Sequence, residues 1–77
     1  MKFYVTIRLF PINRRGSFQS QVIEFNESQS HTVSMLKKII SEKYGDYNKD
    51  SMKISRITQF LNDDETLELG ETLNVIS

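Results

Sequence analysis

The segment from His31 to Gly45 carries the clearest helical period in the chain. Apolar side chains recur three or four residues apart, at Val33, Leu36, Ile40 and Tyr44, and this spacing places them on one side of a 3.6-residue turn. Lysine, serine and glutamate fill much of the remaining arc. Because an apolar stripe of this kind must be buried against other apolar residues, the sequence predicts one helix that lies across one sheet.

Two residues fit the ends of this helix. The hydroxyl of Thr32 is placed to accept a hydrogen bond from a backbone amide of the first turn. No Glu or Gln follows three residues later, so the reciprocal capping box is absent. At the other end, Gly45 is expected to let the helix stop in the left-handed conformation that glycine tolerates.

The segment before the helix has the period of a β-hairpin. Residues 2–10 alternate between two faces, with Phe3, Val5, Ile7 and Leu9 on the face predicted to point inward. Pro11 is expected to end this strand because it lacks a backbone donor, and residues 12–16 are predicted to form a loop. Residues 18–25 form the second predicted strand, with Ile23 and Phe25 inward.

The segment after the helix is predicted to add further strands. Residues 46–51 read as a polar connection, and residues 53–61 as one strand with mixed alternation. A turn at Asn62 to Asp64, a short extended piece at residues 66–69 and a turn at Gly70 and Glu71 follow. Residues 72–76 are predicted to form the last strand, with Leu73 and Val75 inward.

This order of elements favours a β-grasp, which is an α+β fold. One helix packs on a mixed sheet of four or five strands, and a right-handed crossover places the final strand beside the first, in parallel. A chain of 77 residues has room for one hydrophobic core, so residues 1–77 are expected to form a single domain.

The charge composition argues against a nucleic-acid partner. Ten basic and ten acidic residues cancel, with a sequence pI near 6.6, so a nucleic-acid ligand is not expected. The bases gather in the first strand and loop and the acids near the end. We expect these two ends to be adjacent strands whose charges face each other.

No apolar run approaches the roughly 20 residues of a membrane span, and no signal peptide is evident. The cytoplasm is therefore the expected location.

No group of residues in the sequence predicts catalysis, a metal site or a cofactor site. Cysteine is absent, and the single histidine, His31, has no partner at a spacing that supports nucleophilic chemistry. It is expected to be a solvated loop residue. The acidic run at residues 62–65 lacks the glycine and the distant glutamate of a calcium loop. The three glycines are isolated, so no phosphate-binding loop is present.

The opening strand, the run Thr32-Val33-x-x-Leu36 before Tyr44-Gly45, and the closing run from Glu65 to Ile76 resemble the ubiquitin-like sulfur carriers. The small subunit of molybdopterin synthase and the carrier of the thiamine pathway are examples. The resemblance implies the β-grasp fold. In that family the chemistry resides in a C-terminal Gly-Gly tail, whereas this sequence stops at Ser77. The resemblance therefore assigns no reacting residue.

One surface of the predicted sheet is a candidate site for binding a protein. Aromatic residues and arginine, which are enriched at protein interfaces, are prominent in the outward half of the first strand and in the loop after it. An alternative is that Phe10 and Phe18 only close the end of the core. The candidate residues are Tyr4, Thr6, Arg8, Phe10, Ile12, Arg14 and Arg15.

Three functions remain open from the sequence. The first is a non-catalytic protein-interaction module that docks through its sheet face and first loop. The second is a sulfur carrier or protein modifier whose Gly-Gly tail is missing from this chain. The third is a small accessory subunit of a larger enzyme.

Overall fold

The computed structural model describes residues 2–10 and 19–76, which form one five-stranded sheet and one helix. The spatial order of the strands is β2-β1-β5-β3-β4. Strands β1 and β5 are parallel, and the other neighbours are antiparallel, which confirms the predicted parallel pairing of the first and last strands. The elements are β1 (Phe3–Phe10), β2 (Gln19–Phe25), α1 (Val33–Lys43), β3 (Lys53–Arg56), β4 (Gln59–Phe60) and β5 (Thr72–Ile76).

The core lies between helix α1 and one face of the sheet. The predicted helical stripe is confirmed at Val33, Leu36 and Ile40, whose side chains are completely buried, whereas Tyr44 is half-buried at the edge of the core. Phe3 is half-buried and packs against the core. The other inward residues predicted for the strands are buried, which confirms the alternation. They are Val5, Ile7, Leu9, Ile23, Phe25, Leu73 and Val75.

The first turn of α1 is held by a cap and by a distant loop. The Thr32 hydroxyl accepts from the Met35 amide at 3.3 Å, as predicted. The backbone amides of Val33 and Ser34 donate to the carbonyl groups of Glu65 and Asp63 at 3.1 and 3.0 Å. Because first-turn amides have no partner within the helix, this acidic turn completes the cap.

The helix ends differently from the prediction. Gly45 does not adopt the left-handed conformation, since of the two glycines that the structure describes, Gly45 and Gly70, Gly70 alone has a positive φ. The capping residue is Tyr44 in an extended conformation, with φ of −125° and ψ of 102°. This extended residue turns the chain so that Tyr47, within the segment predicted to be only a polar connection, packs into the core.

The prediction of a single strand over residues 53–61 is wrong. Strands β3 and β4 are joined by a two-residue turn, Ile57 and Thr58, with Arg56 opposite Gln59. Leu61 then donates its amide to the Ile54 carbonyl at 2.8 Å. The mixed alternation in the sequence arises because the chain reverses direction within this segment.

Near each end of the described part of the chain, one charged side chain forms an ion pair with a residue of a neighbouring strand. The Lys2 ammonium nitrogen lies 3.9 Å from a carboxylate oxygen of Glu24 in β2. Glu71 accepts two hydrogen bonds from the guanidinium group of Arg56, at 2.6 and 3.1 Å, and a third from the Glu68 amide at 2.5 Å. Burial alone would raise the pKa of Glu71, but these hydrogen bonds and the charge of Arg56 bring it below its ordinary value.

The lowered pKa of Glu71 predicts a loss of stability in acid. The ion pair stabilises the fold above the ordinary carboxyl pKa of 4.5, and this contribution is lost as the pH falls through the lower folded-state value. We expect Glu71→Gln to reduce the free energy of unfolding by about 1–2 kcal/mol at pH 7. The difference in the free energy of unfolding between Glu71→Gln and the unaltered chain should be smaller at pH 3 than at pH 7.

Urea unfolding followed by circular dichroism at both pH values measures this difference. The matched control is Glu42→Gln, which removes the same charge from an exposed position on α1 and should change little at either pH. A Glu71→Gln penalty that is equally large at pH 3 would contradict the electrostatic origin of the effect.

Candidate protein-interaction surface

The face of the sheet opposite the core is not covered by helix α1, and we call it the open face. Its members follow from the strand register, because residues opposite each other share a face. It includes serine, threonine and asparagine as well as apolar and basic side chains. The residues are Tyr4, Thr6, Arg8 and Phe10 of β1, Ser20, Val22 and Glu24 of β2, Lys53 and Ser55 of β3, Phe60 of β4, and Thr72, Asn74 and Ile76 of β5.

The structure brings together the candidate residues of β1 on this face. Tyr4 and Arg8 are exposed, and Thr6 and Phe10 are half-buried. The intermediate burial of Phe10 fits either a docking residue or a residue that closes the end of the core. Three further candidates, Ile12, Arg14 and Arg15, lie outside the described residues.

Tyr4 has a structural contact in addition to its exposure. Its carbonyl accepts from the Gly70 amide at 2.8 Å, and its hydroxyl would lie 3.4 Å from a Cβ atom placed on Gly70. Gly70 has a φ of +77°, which favours glycine. Tyr4 therefore helps to fix the turn that leads into β5, so substitution of Tyr4 would alter more than the surface.

The most apolar part of the open face surrounds the turn between β3 and β4. Ile57 is 84% exposed and Phe60 is 58% exposed, while buried Ser55 lies opposite Phe60 on one side and Asn74 of β5 on the other. The ammonium group of Lys53 lies 5.6 Å from the centre of the Phe60 ring, a distance at which a cation–π attraction operates. A shallow depression here is lined by Phe10, Ser55, Ile57, Thr58, Phe60, Asn74 and Ile76.

Sequence reasoning missed the residues of β3, β4 and their turn as part of this site. A signal was present in the adjacent apolar residues Phe60 and Leu61. Two consecutive residues of a strand cannot face the same side, so one of them had to point away from the core. The structure buries Leu61 and exposes Phe60.

His31 lies away from the open face, at the start of helix α1. Its ring stacks on the Phe3 ring at a centroid distance of 3.7 Å and meets the Phe25 ring edge to face at 5.8 Å. The residue is exposed, as expected, but the stacking gives it a structural role in covering the end of the core. Within residues 2–10 and 19–76, no three potential metal ligands gather at one place, and no helix has the length and apolar character to cross a membrane.

The fold is a ubiquitin-like β-grasp, which confirms the predicted class. The chain is similar to the crystal structure of the UBL domain of Plasmodium falciparum Dsk2, with a TM-score of 0.71 and 20% sequence identity. The match covers 99% of this chain and 97% of the other. No protein-family model matches the sequence, and no curated protein matches it. The narrower resemblance to the sulfur carriers is not shown by these comparisons.

The backbone conformation of Ile57 predicts a gain in stability on substitution. Ile57 has a φ of 57° and is the one non-glycine residue with a positive φ among those described. A β-branched residue is strained there, at a cost of about 1–2 kcal/mol. We expect Ile57→Gly to raise the free energy of unfolding by about 1 kcal/mol, because the relief of strain exceeds the added flexibility of the unfolded chain.

Thermal and urea unfolding measure this change, and the adjacent Thr58→Gly is the matched control. Thr58 has no positive φ, so glycine there should only lower stability. Equal destabilisation by both substitutions would contradict the strain assigned to Ile57.

Proposed function

We propose that this chain acts as a non-catalytic protein-interaction module, with its 77 residues forming one domain. The docking surface is the open face together with the loop after β1, and it includes Tyr4, Thr6, Arg8, Phe10, Ile12, Arg14 and Arg15. The observation that carries the proposal is the exposed apolar group at Ile57, Phe60 and Ile76, beside Phe10. Aromatic residues within a patch of this kind are typical anchors for a protein partner.

The charges around this group indicate the chemistry of the partner. Arg8 and Lys53 are the basic residues of the open face, and Arg14 and Arg15 follow in the sequence of the loop. Its acidic residue, Glu24, lies on β2 beside Lys2. A segment with apolar side chains flanked by acidic residues would complement this surface, because opposite charges steer association and fix orientation.

The resemblance to the sulfur carriers supports a second hypothesis, a carrier or modifier that uses a C-terminal Gly-Gly. The closing run that carries the resemblance, Glu65 to Ile76, includes β5 and leads directly to Ser77. The intact mass of the protein isolated from its native source distinguishes this hypothesis, since a longer chain ending in Gly-Gly would be required. Co-purification with one large chain would instead support an accessory subunit.

A pair of open-face variants tests the proposed docking surface. Proteins captured from the native source by the unaltered chain are compared with those captured by Arg8→Glu/Phe10→Ala and by Phe60→Ser. We expect one partner to be lost from both variants, because both remove anchors or charge from the same surface. Lys38→Glu, on the exposed side of α1, is the control and should retain the partner.

Binding of the purified partner is then mapped by the amide chemical shifts of this chain, with circular dichroism to confirm that every variant is folded. The proposal predicts that the shifts concentrate on β1, β3, β4 and β5. Shifts confined to α1, or binding that survives both open-face variants, would contradict it.

A further inference from the structure

Strand β2 forms a long outer edge of the sheet. Within the described part of the chain its one partner strand is β1, through seven consecutive residue pairs from Phe3–Phe25 to Leu9–Gln19, without a bulge. None of the hydrogen bonds that join loops, caps and turns within the described residues reaches β2. Among residues 2–10 and 19–76, nothing pairs with the outer row of backbone donors and acceptors of β2, and such an unpaired row is a template for a further strand.

The composition of β2 lacks the features by which proteins usually protect such an edge. Lysine, proline, bulges and very short strands prevent pairing between edges. Gln19–Phe25 has no proline or basic residue, and its one charge is Glu24, which lies beside Lys2. The opposite edge, β4, is only two residues long. Val22 of β2 is 54% exposed on the open face. Only one edge of this sheet is thus suited to strand addition.

We propose that β2 pairs in antiparallel orientation with β2 of a second copy of this chain, around a two-fold axis through Val22. An isologous pair of strands in one continuous sheet requires the axis to be perpendicular to the sheet. Centring it on Val22 uses all seven residues of the strand. The register then pairs Gln19 with Phe25, Ser20 with Glu24, Gln21 with Ile23, and Val22 with itself.

The side chains of β2 are complementary to their own copy in this register. On the open face, the two Val22 side chains meet as an apolar, β-branched pair, and each Glu24 lies opposite Ser20 rather than opposite the other Glu24. The formal net charge of zero means that two copies do not repel each other. These features favour β2 of a second copy, over an extended segment of an unrelated protein, as the strand that pairs with this edge.

The dimer would affect the proposed function, although the proposal of a dimer does not depend on that function. Both open faces lie on the same side of a ten-stranded sheet. The two β5 strands are separated by five strand spacings, roughly 24 Å before sheet twist. A partner with two docking segments at that separation would bind both copies, and its apparent affinity would rise through the effective concentration of the second segment.

Sedimentation equilibrium of the 77-residue chain tests the association itself. We expect the mass to rise from 9.0 kDa toward twice that value as the concentration increases from about 1 μM to about 1 mM. Val22→Asp places two like charges at the axis and should remain a monomer. Val22→Thr keeps a β-branched residue of similar size and should retain most of the association. A cooperative thermal unfolding transition is the check that both variants are folded.

A single cysteine tests the register. The chain has no cysteine, and opposite residues of antiparallel strands have Cα atoms about 4.5–5.5 Å apart, within the range of a disulfide. Mild oxidation should therefore couple Val22→Cys into a covalent dimer, with each thiol losing one proton and one electron to the added oxidant. Lys38→Cys, on the exposed side of α1, is the control and should couple far more slowly.

Three outcomes would overturn the proposal. The unaltered chain stays at 9.0 kDa at the highest concentration, the Val22→Asp variant dimerises normally, or Val22→Cys couples no faster than Lys38→Cys. None of these results would bear on docking through the open face, so the two proposals fail separately.

Discussion

The structure depends on the burial of the α1 stripe in the core to which the parallel pair of β1 and β5 also contributes. These two strands lie side by side at the centre of the sheet, and the core contains Ile7 and Leu73, which are opposite each other. Leu36 and Ile40 are completely buried in the same core. Each fully buried side chain of this size contributes about 1.5–3 kcal/mol. A few of them are therefore comparable to the total stability of a small domain, about 5–15 kcal/mol.

This arrangement leaves the two faces of the sheet with different roles. The side chains of the inner face are buried in the core. Those of the open face do not have helix α1 packed on them, so packing constrains them less. Phe60 and Ile57 are exposed there, and Ile57 also occupies a strained backbone conformation. A polar residue or glycine would suit that turn better on grounds of stability alone. The presence of an exposed apolar side chain under strain at this turn supports the protein-binding role that we propose for this surface.

The sequence predicted those parts of the fold that depend on local periodicity. The spacing of Val33, Leu36 and Ile40 specified the helix and its buried side, and alternation in β1 specified both faces of that strand. The β3–β4 hairpin was not predicted because its turn contains Ile57 and Thr58 instead of the glycine or asparagine that marks such turns. Pairing of β3 with β5 holds this turn in place, and sequence patterns do not show that support.

Two further features depend on contacts between distant parts of the chain. The carbonyl groups of Asp63 and Glu65 complete the cap of α1, although the sequence there indicated only a turn. Tyr47 lies within residues 46–51, which were predicted to be a polar connection, yet it packs into the core. For the candidate site, alternation placed Tyr4, Thr6, Arg8 and Phe10 on one face, but the contribution of β3 and β4 required the strand order, which only the three-dimensional structure supplies.

Nuclear Overhauser contacts between β1 and β5 test the central pairing most directly. The structure predicts contacts of the Ile7 backbone with Leu73 and of the Leu9 backbone with Val75, in a parallel register, together with contacts from the Leu36 methyl groups to other core methyl groups. If β1 instead shows its closest contacts to a strand other than β5 and β2, or if Leu36 is accessible to solvent, the arrangement described here is contradicted.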